Sequence, residues 1–517
     1  MSAFERLHQD SVVGKLAFFD RLIFKGHLTR FYPKGAMKAF LDREGVLLKD
    51  FGTYAKGLSD QVKAHAQAAA ARAGRPYVYL AEACTKAKGN SKEDMARAIM
   101  ARDHVVTGLV CVLAAVEPCT GFDIFRNKEA KRLEVVRRKR KCLHYYWYFV
   151  HPTFGFCHVR LQGWLPFEVQ VWVNGREVLS AALASKKVRH TRYLNAIVTC
   201  SNWGLAQRLS DRLASRGWAK DLSGLARQVN PHLPMLKKAG YGPYWWVVDQ
   251  AEVATDVAFK SRPALEALLP SLFAHAASAF SAEDVLRFLG RKLHPALAAE
   301  VTSDARRRPE GWRVKHRMAH NSIKCYDKAN VLRVETTIND PTQFRVLRVK
   351  KGHRVWCPMR KGIVNLHRYY QVGRAANERY LEALAAATDN TDAVRVLDRH
   401  CRPIRNRGKR HPRLNPVSRD DLALFRAALA GEHAINGFRN RDIQARLHPR
   451  PPRDDAEAKR RCQRTSRLIT KLRGHGLVAK VPRRRLYRVT PYGQRYMSAA
   501  IAVHDQRFPL AYMQIAA

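Results

Sequence analysis

The residues best suited to chemistry are three carboxylates, Glu252, Asp256 and Glu335, in segments with the alternating pattern of β-strands. Taking Tyr244–Lys260 as one strand places Glu252 and Asp256 on the same face, because strand side chains alternate with a period of two. In Val331–Ile338 the same alternation puts Glu335 on the polar face. Carboxylate oxygens are the ligands that Mg²⁺ or Mn²⁺ prefers. The sequence therefore predicts a divalent-cation site.

A third predicted strand, Ser322–Lys328, carries a tyrosine between two lysines. Lys324, Tyr326 and Lys328 share one face, opposite apolar side chains. A metal polarises a phosphate for attack, so Tyr326 is predicted as a nucleophile that forms a covalent phosphotyrosyl intermediate. Lys324, Lys328 and Arg333 are predicted to bind phosphates and to stabilise developing charge.

These segments together resemble the replication initiators of rolling-circle plasmids and filamentous phages. The matching pieces, within residues 244–340, are Glu252-Val-Ala-Thr-Asp256, Ile323-Lys-Cys-Tyr-Asp-Lys328 and Leu332-Arg-Val-Glu335. The resemblance implies a metal-assisted single-strand nick that a tyrosine rejoins, with the metal on Asp256 and Glu335. No His-hydrophobic-His triplet occurs in the sequence, so the histidine-pair version of the metal site is not predicted.

Two alternatives remain open for this constellation. Tyr369 and Tyr370 lie on a nearby basic helix and compete with Tyr326 for the nucleophile role. The charges also allow a purely structural interpretation, in which Arg333 and Glu335 form cross-strand ion pairs.

The C-terminal segment, residues 414–517, resembles a winged helix-turn-helix domain. The predicted order is three helices, two strands around a basic turn, and a final helix from about Pro491. The predicted elements before that last helix are Ser418–Ala430, Arg439–Leu447, Ala456–Arg473, Leu477–Val481 and Leu486–Thr490.

Positive charge is concentrated where a winged helix contacts DNA. Residues 455–485 hold eleven Lys and Arg against two acidic residues. A helix in the major groove uses such side chains for phosphates and base edges. The predicted DNA-binding residues are Lys459, Arg460, Arg464, Arg467 and Lys471 on the third helix and Arg483, Arg484 and Arg485 in the wing. The alternative is a winged helix that docks a protein and carries solvated charge.

An aromatic run with basic neighbours, Tyr145–Phe149 beside Arg137–Lys141, has two interpretations. Bases of a single nucleic-acid strand stack on such rings when cations track the backbone. A strand that is buried on both faces has the same composition.

Composition limits the class of protein. The 517 residues contain 93 Lys and Arg against 44 Asp and Glu, a net charge of +49, which points to a nucleic-acid partner. Hydrophobic residues make up 46%, which excludes a disordered polycation.

The longest apolar stretch is too short to span a bilayer, and Met1–Lys15 lacks the apolar region of a secretory signal. The ten cysteines form no CxxC motif. We therefore expect no membrane partner and a cytoplasmic, nucleoid-associated location.

The predicted fold is α+β and multidomain. A helical and aromatic β-strand region that binds nucleic acid is predicted over 1–240, and an α+β region with the candidate catalytic residues over 241–397. A basic linker is predicted over 398–413 and a winged helix over 414–517. The predicted function is DNA binding of replication-initiator or mobile-element type, with nicking and rejoining as a possible activity. The alternative is a non-enzymatic DNA- or RNA-binding regulator or scaffold.

Overall fold

The computed structural model describes residues 2–81, 91–290, 300–308, 311–350, 352–387, 393–406, 408–433, 437–482, 484–509 and 513. The fold is mixed α+β and multidomain, around one large mixed sheet. The helices are α1 Ala3–Leu7, α2 Ala36–Arg43, α3 Phe51–Arg72, α4 Lys92–Arg102, α5 Gly175–Ser185, α6 Trp203–Ser215, α7 Ala219–Val229, α8 Leu233–Lys238, α9 Arg262–Glu266, α10 Leu269–Ser278, α11 Ala282–Phe288, α12 Leu366–Leu384, α13 Ala393–Cys401, α14 Arg419–Ala428, α15 Asn440–Leu447, α16 Asp455–Gly474 and α17 Pro491–Ala502.

The strands are β1 Val12–His27, β2 Tyr77–Leu80, β3 Gly108–Asn127, β4 Arg132–His151, β5 Gly155–Gln162, β6 Val169–Asn174, β7 His190–Tyr193, β8 Ala196–Cys200, β9 Trp245–Phe259, β10 Val301–Arg308, β11 Gly311–Met318, β12 Asn321–Lys328, β13 Val331–Ile338, β14 Arg345–Lys350, β15 His353–Pro358, β16 Ile404–Asn406, β17 Lys409–His411, β18 Val478–Lys480 and β19 Tyr487–Val489. Eleven of them form one sheet in the order β10-β11-β12-β13-β9-β1-β6-β5-β4-β3-β2. Every pairing in this sheet is antiparallel except β2 with β3.

The topology of this sheet repeats, although the sequence shows no repeat. In each half a long strand is followed by helices and then by a four-stranded meander whose last strand returns to pair with the long strand. The long strands are β1 and β9, the meanders are β3–β6 and β10–β13, and β1 pairs with β9 at the centre. The division predicted at 240/241 therefore falls inside one continuous sheet, because β1 and β9 are far apart in sequence and adjacent in space.

The two faces of the sheet carry different residues. Helix α12 packs on the face that holds the main apolar clusters, together with alternate residues such as Val253, Val334 and Ile323. We call the opposite face, which carries Glu252 and Glu335, the site face. It is covered by α5, α6 and the β7–β8 hairpin. The strict alternation of strand side chains separates the apolar face from the charged one.

The aromatic run of β4 is mostly core. Tyr145, Trp147 and Phe149 lie in the main apolar cluster, and Tyr148 is buried on the site face. Tyr146, also on the site face, is half-buried. The strand is therefore buried on both faces for most of this run, as the second interpretation of the sequence required.

The C-terminal unit contains α14, α15 and α16, then the short β18–β19 hairpin, then α17. Its own apolar cluster includes Phe425, Ile469, Leu472 and Met497. The predicted linker at 398–413 is folded where it is described, because it contains the end of α13 and the β16–β17 hairpin. That hairpin packs on α16, where a Cβ at Gly474 would collide with the ring of His411.

Candidate active site on the central sheet

Four adjacent strands bring the predicted site residues to one place. The order β12-β13-β9-β1 aligns Lys324 with Glu335, and Tyr326 with Arg333 and Asp256, as direct cross-strand neighbours. Alternation predicted that these side chains share one face of the sheet. The register of the strands also makes them neighbours on that face.

Three carboxylates form an acid cluster, which we define as Asp20, Glu252 and Glu335. One oxygen of each lies within 4.8 Å of the others, and all three side chains are buried. Three carboxylates at this separation repel one another unless cations or protons compensate. Hard oxygen ligands of this kind suit Mg²⁺ or Mn²⁺.

Asp20 enters the cluster through a β-bulge. Phe19 is opposite Val253 and Arg21 is opposite Glu252, which leaves Asp20 as the extra residue on β1. A bulge turns one side chain out of the normal alternation. As a result, Asp20 and Arg21 both lie on the site face. The sequence analysis missed Asp20, although a lone carboxylate inside the apolar stretch 16–24 was a signal.

Asp256, predicted as a metal ligand, lies outside the acid cluster. Its two oxygens accept bonds from the Arg333 guanidinium at 2.6 and 3.0 Å, and its Oδ2 also accepts one from the Ile197 amide at 3.0 Å. The β9–β13 register places Arg333 directly opposite Asp256, so an ion pair forms there. Arg333, predicted to bind phosphates, is fully buried between carboxylates.

Tyr326 contacts the acid cluster directly. Its hydroxyl donates to Glu335 Oε2 at 2.6 Å and accepts from the Asn195 side-chain amide at 3.2 Å. Burial raises the pKa of Tyr326 well above its usual range, and the negative charge of Glu335 raises it further. The rival tyrosines lie elsewhere: Tyr369 and Tyr370 belong to the apolar cluster on the other face of the sheet. Of these three tyrosines, Tyr326 is the one that contacts the acid cluster.

Four cations neutralise the carboxylates of the site. Lys324 Nζ lies 2.7 Å from Glu335, and Arg21 Nε lies 3.8 Å from Glu252. Asp20 faces both Arg176, at 3.1 Å, and Arg333, at 3.3 Å. With Asp256, the site holds four carboxylates and four cations, so a bound divalent ion has to displace one of the cations, release a proton, or do both.

The carboxylates do not titrate alike. Burial and the nearby charge of Glu335 raise the pKa of Glu252 to about 7. Burial also tends to raise the pKa of Asp20. The positive charges of Arg333 and Arg176 outweigh burial, so the pKa of Asp20 is lowered. At neutral pH, Glu252 therefore exchanges between its protonated and charged forms.

We expect Mn²⁺ binding to strengthen as pH rises towards 7. Because a ligating carboxylate must be deprotonated, affinity should rise about tenfold per pH unit while Glu252 is protonated, and level off above its pKa of about 7. Titration calorimetry in buffers of different ionisation enthalpy measures both affinity and protons released. Glu252→Gln should bind more weakly and lose this dependence. A wild-type affinity that does not change across this range would contradict the assignment.

Two cavities open beside the acid cluster. One, of about 540 Å³, is lined by Asp20, Arg21, Glu93, Arg97, Arg176, Glu177, Arg192, Leu194, Asn195 and Lys328. The other, of about 130 Å³, is lined by Asn195, Gly311, Trp312, Arg313, Lys324, Tyr326, Asp327 and Lys328. Asn195 and Lys328 line both cavities, so the two cavities adjoin one another beside Tyr326. Lys328 therefore faces the cavities, whereas Lys324 pairs with Glu335 in the cluster itself.

Comparison of the chain with protein-family models, with curated proteins and with solved structures finds no match. Among the described residues, no helix combines the length and the apolar composition needed to cross a membrane.

The predicted DNA-binding residues of the C-terminal unit divide into three groups. Lys459, Arg460, Arg464 and Arg467 are exposed on α16, and Arg484 and Arg485 are exposed between β18 and β19. Lys471 is instead held in the unit, where its Nζ lies 2.7 Å from the buried Asp421. Arg483 lies outside the described residues.

A basic groove separates the C-terminal unit from the β14–β15 hairpin. It has a volume of about 940 Å³, and seven arginines line it: Arg345, Arg354, Arg439, Arg441, Arg484, Arg485 and Arg488. Its two acidic residues are both engaged, because Glu432 pairs with Arg446 and Asp442 accepts the Arg439 amide. The groove therefore presents a concentrated positive surface.

Proposed function

We propose that this protein nicks and rejoins DNA through Tyr326, with a divalent cation held by Asp20, Glu252 and Glu335. The observation that carries the proposal is the 2.6 Å hydrogen bond from the Tyr326 hydroxyl to Glu335, a member of the acid cluster. A nucleophile, a base and a metal-binding group are then in contact at one basic cleft.

The proposed step is a transesterification. Tyr326 Oη forms a bond to the phosphorus of a phosphodiester, and its proton passes to Glu335 Oε2. The bond from phosphorus to the leaving deoxyribose oxygen breaks, and that oxygen receives the proton held by Glu335, relayed through water. Rejoining is the reverse reaction, so no energy source is consumed. When bound by Asp20, Glu252 and Glu335, a divalent cation would supply positive charge that stabilises the phosphate oxygens.

Lys324 has a second role in this scheme. Its ammonium group pairs with Glu335 at 2.7 Å, and a divalent cation on the acid cluster would compete for the same carboxylate. The ammonium group of Lys324 lies 5.7 Å from the centroid of the Tyr326 ring, where it can contact a phosphate oxygen. Arg333, held by Asp256, positions the strands rather than binding substrate.

The C-terminal unit is proposed to bind duplex DNA as a winged helix. Support comes from the order of its elements, from the exposed basic residues of α16, and from Arg484 and Arg485 at the basic groove. Such an arrangement lets α16 enter a major groove while the turn between β18 and β19 contacts the backbone.

Replacing Arg464 and Arg467 together by Ala is expected to weaken duplex binding and to lower its salt dependence. Each lost phosphate contact reduces the slope of log affinity against log salt by about 0.9, so the double variant should lose nearly two. Fluorescence anisotropy over a salt series measures this slope. Lys56→Ala with Lys63→Ala, on the exposed side of α3, removes the same charge elsewhere and should leave the slope unchanged. Equal slopes for both variants would contradict the assignment to α16.

The second candidate function is a DNA- or RNA-binding regulator without catalysis. The observation that favours it is the balance of four carboxylates with four cations, which satisfies the site without a metal. The two functions separate in one assay. Wild-type protein, Mn²⁺ or Mg²⁺, and supercoiled DNA or single-stranded oligonucleotide pools are incubated and run on a denaturing gel. A covalent protein–DNA band supports nicking, and its absence with intact binding supports the regulator.

A further inference from the structure

An aromatic pocket lies on the site face next to the acid cluster, because β6, which carries Trp172, pairs with β1, which carries Asp20. It has a volume of about 470 Å³, and its lining includes Tyr146, Tyr148, His158, Gln170 and Trp172. Strands β4, β5 and β6 form its floor, and α4 forms one side. The volume falls within the ~300–1,000 Å³ range of pockets that hold small organic groups.

Flat rings form the floor of the pocket. The rings of His158 and Trp172 are stacked, with centroids 5.3 Å apart and 22° between their planes. Tyr148 adds a third ring, 4.9 Å from His158. Burial lowers the pKa of His158 to about 3, so its ring is neutral at physiological pH. Neutral aromatic floors of this kind accept the face of a nucleobase.

One wall of the pocket is fixed by an internal ionic network. The Glu117 carboxylate binds Lys92 Nζ, accepts the Tyr146 hydroxyl at 2.7 Å, and pairs with Arg160 at 2.8 Å. The two cations of the pocket are therefore engaged with Glu117, and a phosphate has no free cation to bind there. The wall holds Tyr146 in place beside the floor.

The other polar side chains of the pocket, apart from those bound to Glu117, include neutral hydrogen-bonding groups. Within the described part of the chain, the side chains of His158, Gln170 and Trp172 make no hydrogen bond, and all three are half-buried at the pocket. The side-chain amide of Gln170 can contact the donors and acceptors on the edge of a base whose face lies on the rings.

The pocket is continuous with the path to the acid cluster. Glu93 lines both this pocket and the cavity that contains Asp20. Arg21 spans the same junction, because its guanidinium lies 5.7 Å from the Trp172 ring centroid and its Nε lies 3.8 Å from Glu252. A strand that passes Tyr326 can therefore reach the pocket along one face of the sheet.

We infer that the aromatic pocket binds one unpaired nucleobase of the single strand whose phosphate reaches the acid cluster. The path of the strand in this inference rests on the proposed function, whereas binding of a base in the pocket does not require a metal. It explains why an aromatic floor and uncommitted hydrogen-bonding groups occur on the face that carries the acid cluster.

The test compares two strands of equal charge in the presence of EDTA, which prevents cleavage. One is a short oligothymidylate, and the other is the same backbone with every base removed. Trp172→Ala is expected to weaken oligothymidylate binding about tenfold, as loss of one stacked base does, and to leave the abasic strand unaffected. Trp172→Phe should retain most of the affinity. Trp245→Ala, at a tryptophan that is 57% exposed outside the pocket, is the matched control and should change neither.

Three results would overturn the inference. These are equal losses on both strands, no loss on either strand, or displacement of the oligonucleotide by thymidine monophosphate at concentrations near the oligonucleotide Kd. The last result would make the pocket a site for a free nucleotide. Glu335→Gln should still bind oligothymidylate more tightly than the abasic strand. If the protein fails to nick DNA, the proposed function is refuted, but this difference in binding remains.

Discussion

Tyr326→Phe is expected to abolish the covalent protein–DNA band while leaving DNA binding intact. The substitution removes only the oxygen that attacks phosphorus, and it leaves Glu335 with its partner Lys324. Loss of a nucleophile reduces such reactions by on the order of 10³-fold or more. The measurement is the yield of adduct from a single-stranded oligonucleotide with Mn²⁺, resolved on a denaturing gel.

The matched control is Tyr370→Phe. Tyr370 is a buried tyrosine whose hydroxyl bonds the carboxylate of Asp211 at 2.8 Å, much as Tyr326 bonds Glu335, but it lies away from the acid cluster. This variant should form adduct normally. Asp20→Asn should lose adduct as Tyr326→Phe does, because it weakens the cation site. Full adduct from Tyr326→Phe would show that another residue attacks the phosphate.

Arg333→Met is expected to be the most destabilising single substitution at the site. The guanidinium is fully buried, bonds Asp256 twice and lies 3.3 Å from Asp20. Its removal leaves buried carboxylates without their cation, which costs about 3–5 kcal/mol. Thermal unfolding of the purified protein, followed by circular dichroism, should show the sheet transition lowered by several degrees.

Arg21→Met provides the comparison. Its side chain is 42% exposed and approaches Glu252 only to 3.8 Å, so its loss should cost less than about 1 kcal/mol. Combining Arg333→Met with Asp256→Leu should recover part of the stability, because the unpaired charge is then removed as well. If Arg333→Met unfolds at the same temperature as Arg21→Met, the central ion pair contributes far less than its geometry indicates.

The sequence determined which side chains share a strand face. Alternation placed Glu252 with Asp256, Lys324 with Tyr326, and Arg333 with Glu335, and the described strands have these groupings. It also located the basic segment 455–485, because charge density and helix signals are local properties of the chain. Local spacing is sufficient for such statements, since each concerns residues only a few positions apart.

Only the tertiary structure decided which carboxylates meet. Register paired Asp256 with Arg333 and removed it from the acid cluster, and one extra residue in β1 brought in Asp20 instead. Lys471 changed role for a similar reason, because the packing of α14 against α16 placed Asp421 within reach of it. Alternation fixes the face on which a side chain lies, but contacts between distant segments depend on strand order, register and bulges, which the whole sheet sets together.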